Sequence, residues 1–137
     1  MAQINAYLHF SGDCREAMTF YQACLGGELN LMAVSDSPMA AQMPPAAKNN
    51  IMHGQLKSGT ITIMASDWMA PGTMTKGNNI SLSLSCSSTK EADALYAKLS
   101  AGGTAAHPLK DEFFGYYGDL KDKFGVNWML NHEKPRS

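Results

Sequence analysis

The feature that most constrains this chain is that it states one pattern twice. Glu16-Ala17, Tyr21 and Gly26-Gly27 are echoed by Glu91-Ala92, Tyr96 and Gly102-Gly103. The offset is 75 residues for the first landmarks and 76 for the glycines. A single match of this kind is no more than coincidence. A set that keeps the order strand, helix, Gly-Gly, strand in both halves argues for internal duplication. Each module buries one face of a small sheet under its helix. The other face, partly polar, is left to line a hollow, and two such sheets facing each other make a cup.

The elements follow from periodicity. Ile4, Ala6, Leu8 and Phe10 alternate with Gln3, Asn5, Tyr7 and His9, the period of a strand. Asp13 is placed to cap a helix over Cys14–Leu25, where Ala17, Met18, Tyr21, Cys24 and Leu25 recur at helical spacing before Gly26-Gly27 stops it. Strands are expected at Glu28–Val34, Ile51–Lys57 and Thr60–Ala65, with a long Pro-, Ala- and Met-rich loop over Ser35–Asn50. The second half repeats the plan. It has a strand over Asn79–Cys86, a helix over Lys90–Ala101, and strands at Thr104–Leu109, Gly115–Leu120 and Val126–Asn131. The expected fold is α+β, two βαβββ modules over 1–67 and 79–132, joined by a connection over 68–78 and followed by a polar tail over 133–137.

The bulk numbers exclude more than they name. With 137 residues the chain buries a core without disulfides. Eleven basic residues against twelve acidic ones leave a net charge of −1 with no basic patch, so nucleic acid and anionic membrane are not the expected partners. No apolar run is long enough to span a bilayer, and the first residues lack the basic-then-apolar pattern of a secretory signal. The cysteines, Cys14, Cys24 and Cys86, are odd in number and irregular in spacing, which fits a reduced, cytoplasmic chain. Ten methionines suit an adaptable core or binding surface.

Several segments carry a resemblance. Tyr7-Leu8-His9-Phe10-Ser11-Gly12-Asp13-Cys14 runs into Glu16-Ala17-Met18-Thr19-Phe20-Tyr21 and Leu25-Gly26-Gly27. Met52-His53-Gly54-Gln55-Leu56, Ile63-Met64-Ala65-Ser66-Asp67 and the closing Asp122-Lys123-Phe124-Gly125-Val126-Asn127-Trp128-Met129-Leu130-Asn131 follow in order. Together they resemble the PhnB-like branch of the vicinal oxygen chelate superfamily of glyoxalases, bleomycin-resistance proteins and extradiol dioxygenases. The resemblance implies modules paired into a cup-shaped, half-barrel sheet, a homodimer, and a divalent metal in the cup where one is used. The expected ligand positions hold Met64, Asn79 and Met129 instead of carboxylate and imidazole groups. Counting back from Phe20 puts the remaining position at Ala6, whereas polar alternation turns Tyr7 or His9 inward. Thioethers and an amide are poor ligands for hard or borderline ions, so no metal cofactor is expected. No glycine-rich cofactor loop supports the methyltransferase label that some relatives carry.

The candidate ligand-binding residues are Tyr7, His9, His53, Gln55, Thr62, Met64, Trp68, Asn79, Ser81, Phe114, Tyr116 and Met129. His9 and His53 read either as a ligand or general base in the cup or as hydrogen-bonded sheet histidines. Met64 and Met129 read as cavity lining. Phe113, Phe114, Tyr116 and Tyr117, like Trp68, either stack on a ligand or pack against a neighbouring surface. His107, His132, Glu16, Glu91 and the Asp111-Glu112 pair read as structural or solvated, Trp128 as core, and the cysteines lack a basic neighbour that would make a nucleophile. The function expected is binding of a small, partly apolar molecule. The alternatives are an enzyme, metal-dependent or atypical, acting on a small oxygenated metabolite through His9 or His53, and a mainly structural subunit.

Overall fold

A computed structural model describes residues 2–38, 40–68 and 72–133. The chain divides between Thr75 and Lys76 into two units. The first holds β1 (Ala6–Phe10), α1 (Cys14–Leu25), β2 (Glu28–Ala33), β3 (Ile51–Ser58) and β4 (Ile61–Asp67). The second holds β5 (Leu82–Ser85), α2 (Thr89–Ser100), β6 (Thr104–Glu112), β7 (Gly115–Lys121) and β8 (Asn127–Glu133). Each unit is a βαβββ module with one open four-stranded sheet, ordered β1-β4-β3-β2 in the first and β5-β8-β7-β6 in the second. In both, the first strand runs parallel to the last and the other pairings are antiparallel. The parallel pair is what the intervening helix makes possible, since parallel neighbours need a crossover.

Alternation decides which face meets the helix. The register pairs Leu8 with Ala65, Ala65 with Gly54, and Leu56 with Ile63, and directly paired side chains share a face. That face packs on α1, whose Cys14, Ala17, Met18, Tyr21 and Cys24 are buried, with the Phe10 and Tyr21 ring centroids 6.4 Å apart. In the second unit Leu82, Trp128 and Leu120 form one row and Leu84, Leu130 and Gly118 the next, under Ala92 and Leu99 of α2. Each fully buried Leu, Ile, Phe or Met is worth about 1.5–3 kcal/mol. The glycine pair after each helix lets the chain close onto the sheet. A Cβ at Gly27 would collide with the Lys57 carbonyl, and one at Gly103 with that of Lys121.

Two buried carboxylates fasten this packing. Asp67, 2% exposed at the end of β4, accepts the Gly12 and Cys14 N–H groups through Oδ1 (2.9 and 3.0 Å) and that of Ile51 through Oδ2 (2.7 Å). It thereby holds the start of α1, the start of β3 and its own strand. Asp13 was expected to cap α1, but its carboxylate takes the Ser11 N–H instead, and Asp67 serves the helix from across the fold. Asp122, 3% exposed, accepts the Phe124 and Val126 N–H groups and the Trp128 indole N–H (2.8, 3.1 and 2.8 Å). Ser88 caps α2 by accepting the Glu91 N–H, while Glu91 accepts that of Ser87. Glu16 and Glu91 both stand in first helical turns, as the dipole favours.

Several boundaries differ from the sequence reading. The strand expected over Asn79–Cys86 is only Leu82–Ser85, and Ile80 is exposed before it, because strand pairing with β8 begins at Leu82. The strand expected at Thr104–Leu109 runs on to Glu112, and the last strand, expected to end at Asn131, extends through His132 and into Glu133, the first residue of the expected tail. Residues 134–137 and the middle of the connection, 69–71, lie outside the described residues. Around the expected loop over Ser35–Asn50, the described residues form short 3-10 turns at Val34–Asp36, Ala40–Gln42 and Pro45–Ala47.

Trp128→Ala should cost about 3–5 kcal/mol, because it empties a large buried site and orphans one acceptor contact of Asp122. Asp67→Ala should cost about 3 kcal/mol or more, since three N–H groups, those of Cys14 and Ile51 buried, lose their acceptor. Urea denaturation of both variants tests this; a loss below about 1 kcal/mol for either would contradict the packing described.

Candidate functional site

The helix-free face of the first sheet gathers most of the predicted residues. Its central row is Asn30, Gln55, Met64 and Tyr7; the next holds Met32 and His53 on one side and Ser66 and His9 on the other. Thr62 sits beside Lys57 on the same face. Phe10 fixes this parity by pointing under α1, so the alternation that turns Tyr7 and His9 away from the helix holds, and Ala6 lies on the helix side.

Four rings lie side by side there. His53 and Tyr7 have centroids 5.8 Å apart, with Tyr7 Oη 3.3 Å from His53 Nδ1. Tyr7 and His9 are 5.2 Å apart, and His9 meets Trp68 edge-on at 5.3 Å. Trp68 is fastened by its backbone N–H, which donates to the Phe10 carbonyl at 2.6 Å. Its indole N–H is buried and has no hydrogen-bond partner among the described residues. A donor so placed is a cost unless something accepts from it. The face therefore offers flat apolar surface, two imidazoles and an unused donor within one patch.

The second sheet carries a different set. Its helix-free face bears Ser83, Met129 and Asp119 in one row, with His107 beside Asp119, and Ser85, Asn131 and Tyr117 in the next. A hollow of about 470 Å³ opens on it, lined among others by Ser81, Tyr117, Asp119, Lys121, Asn127 and Met129. Ser81 and Met129 both line this hollow. Asn79 does not join them: it is exposed in the bend before β5, and Asn78 lines the hollow instead.

Tyr116 requires a correction. It is on the helix side of β7, its hydroxyl donating to Asp93 Oδ1 of α2 at 2.6 Å. Gly118 and Leu120 share its parity, so Tyr117 is the tyrosine that faces the hollow. Phe114 is half exposed at the β6–β7 turn, edge-on to Phe113 and Tyr117 at 5.1 and 5.8 Å.

Sequence reasoning missed the polar cluster around Asp119. Tyr117 Oη donates to Asp119 Oδ2 at 2.7 Å, and His107 Nδ1 lies 2.8 Å from Asp119 Oδ1. Burial pushes the Asp119 carboxyl up, but the hydrogen bonds from Tyr117 and His107, with the His107 charge, outweigh it and hold it below the usual carboxylate value. Burial first, then the bond to Asp119 and its charge, push the Tyr117 phenol up to about 12. The period-two spacing of Tyr117 and Asp119 was a readable signal for half of this cluster. The pairing with His107 was not, because β6 shifts register on both sides of His107.

The Cys14 and Cys86 thiols are unsuited to nucleophilic work. Burial, then Asp67 and Asp13, push Cys14 up to about 12; burial, then Glu91, raises Cys86. No group of three His, Cys, Asp or Glu side chains among the described residues is placed to hold a metal ion. No helix among the described residues is long and apolar enough to cross a membrane.

The Asp119 cluster sets an acid response. Its folded pKa is depressed, so its stabilising contribution is complete above the ordinary carboxylate value and is lost as pH falls through the lower folded value. Below about pH 4 the wild type should therefore lose stability more steeply than Asp119→Asn, read as urea midpoint against pH. Parallel curves for the two proteins would contradict the assignment.

A family model described as 3-demethylubiquinone-9 3-methyltransferase matches residues 2–131. Protein YjdN of Escherichia coli K12 is 30% identical over 139 residues, covering 93% of each chain. The crystal structure of protein PA1353 from Pseudomonas aeruginosa is 38% identical, with a TM-score of 0.87 over 98% of this chain and 100% of that one. A structure from Bacillus cereus described as a putative 3-demethylubiquinone-9 3-methyltransferase, PhnB protein, is 26% identical, with a TM-score of 0.72 over 96% and 99%. Glyoxalase, bleomycin-resistance and dioxygenase family structures below 25% identity share the fold. The chain belongs to the family described as 3-demethylubiquinone-9 3-methyltransferase, is similar to a PhnB protein, and has the fold of glyoxalase, bleomycin-resistance and dioxygenase proteins.

Proposed function

We propose that this chain binds a small, partly apolar molecule on the helix-free face of its first sheet. The observation that carries the reading is the row His53, Tyr7, His9 and Trp68, four rings grouped on the face that has no helix to pack against. Flat rings supply stacking area at low entropic cost, and the unused Trp68 donor suits a ligand acceptor. Gln55, Thr62 and Met64 complete the surface with polar and adaptable contacts. The bleomycin-resistance proteins of the superfamily offer the model of a cup that holds a molecule without transforming it.

The methyltransferase of the family's description is not the activity this chain supports best. A loop that cradles a nucleotide-like cofactor opens a helix from its N-terminal side. Here the Gly26-Gly27 and Gly102-Gly103 pairs each follow a helix and serve its close approach to the sheet. The donor set does not fit the superfamily's divalent ion either. Met64 and Met129 are thioethers at equivalent places on the last strands, and we derive no step through a metal. The reading also includes a homodimer, for which light scattering should give the mass of two chains at micromolar concentration; a single-chain mass would count against it.

Thermal-shift and fluorescence titration with 8-anilinonaphthalene-1-sulfonate, beside a panel of small aromatic acids and alcohols, tests the binding surface. Tyr7→Ala and His53→Ala should weaken binding about tenfold or more while costing less than about 1 kcal/mol of stability. Undiminished binding, or unfolding as severe as for Trp128→Ala, would overturn the assignment. Metal analysis of protein purified without chelators should give far less than one ion per chain; near-stoichiometric nickel, zinc, iron or manganese would restore the metal-enzyme reading.

A further inference from the structure

The hollow on the helix-free face of the second sheet carries one charge of each sign. Asp119 and Lys121 both line it, two residues apart on β7 and therefore on one face. They do not neutralise each other. Among the described residues the Lys121 ammonium has no ion pair and no hydrogen bond. A lone anion in this hollow would meet the Asp119 charge, and a lone cation would meet that of Lys121. A ligand that carries both charges satisfies both side chains.

The strand register sorts the remaining polar groups into two bands. Thr104, Lys121 and Asn127 are paired across β6, β7 and β8, and all three line the hollow. That row supplies donors: a hydroxyl, an ammonium and an amide. Asn127 gives one amide hydrogen to the Ile80 carbonyl at 3.3 Å and keeps the other. Asp119 and Met129 form the next row, with Tyr117 one row beyond. This second band supplies acceptors. Asp119 meets Tyr117 through one oxygen and His107 through the other, which leaves about two of its roughly four acceptor sites open. Its side chain is 25% exposed, so those sites are reachable. Tyr117 donates its proton to Asp119 and so presents its hydroxyl oxygen as a further acceptor. The Lys121 and Asp119 rows stand about 6.8 Å apart along the strand. That spacing takes one hydrogen bond at each end and, between them, an ammonium and a carboxylate carried on a single carbon. Met129 and Ala106 bring apolar lining to the same hollow, and the flexible thioether suits an unbranched chain. The volume of about 470 Å³ is that of a small-molecule site.

We propose that the hollow of the second sheet binds a free α-amino acid with an apolar side chain. Its carboxylate meets Lys121, Thr104 and Asn127, its ammonium meets Asp119 and Tyr117, and its side chain lies against Met129 and Ala106.

The test is calorimetric titration of the full chain at neutral pH with L-norleucine. Hexanoate lacks the ammonium, pentylamine lacks the carboxylate, and 6-aminohexanoate holds the two charges far apart. Norleucine should bind about tenfold or more tightly than any of the three. Lys121→Met and Asp119→Asn should each weaken norleucine about tenfold or more. Lys121 is exposed, so its variant removes the charge without disturbing the core. Lys98→Met, which removes the same charge from the last turn of α2, should leave the affinity unchanged. In ¹³C-methyl methionine spectra, norleucine should move the Met129 signal and leave that of the buried Met18 in place. No binding of norleucine up to about 10 mM would overturn the proposal. So would hexanoate or pentylamine binding as tightly as norleucine, a Lys121→Met variant with wild-type affinity, or a Met129 signal that stays in place at saturation.

Discussion

The carboxylate of Asp67 is the interaction on which the first module depends. A βαβββ module must end its last strand beside the first turn of its helix, and that junction strands backbone N–H groups away from water. Asp67 answers three of them at once, from β4 to α1 and β3. Buried with no cationic partner among the described residues, it is held there by those donors, which replace its hydration. The second module meets its own closing problem with Asp122, which binds the turn before β8 and the Trp128 indole. Each carboxylate ties local backbone to the core, so the parity of the strands is fixed at the helix side, and the opposite face is free to vary.

Duplication makes that freedom visible. The strand pairings put Gly54 opposite Ala65 and Gly118 opposite Leu130, with Gln55 and Asp119 one residue later opposite Met64 and Met129. The helix faces keep equivalent duties, while the other faces have diverged. Where β1 carries Tyr7 and His9, β5 carries Ser83 and Ser85. The first face is rich in rings; the second is cut by a hollow and carries a His-Asp-Tyr cluster. One scaffold thus presents two surfaces with different chemical capacities, which is how a common fold serves unlike functions.

How much of this was legible depended on how local each signal was. Strand and helix identities came from periods of two and 3.6, and the repeat of Glu-Ala, Tyr and Gly-Gly gave the modular plan. The face of β1 stayed open between Ala6 and Tyr7 or His9 in the sequence, and the packing of Phe10 on Tyr21 of α1 decides it. Tyr116 was misassigned because two adjacent tyrosines straddle the sheet, and only Gly118 and Leu120 reveal which of them shares the core parity. Asp67 was unreadable as a helix cap because 53 residues separate it from Cys14. His107 was set aside for a similar reason: its partner is 12 residues away across a strand pair with shifted register, which no local pattern encodes.

On the proposed function, the helix-free face of the first sheet meets ligand while the helix face does not. Methionine methyl groups report on both, since Met64 and Met32 lie on the first and Met18, fully buried, on the second. The most direct measurement is a pair of ¹³C-methyl methionine spectra, without and with saturating 8-anilinonaphthalene-1-sulfonate. The account predicts that the Met64 and Met32 signals move and the Met18 signal stays; binding that moves Met18 and leaves Met64 in place would contradict it.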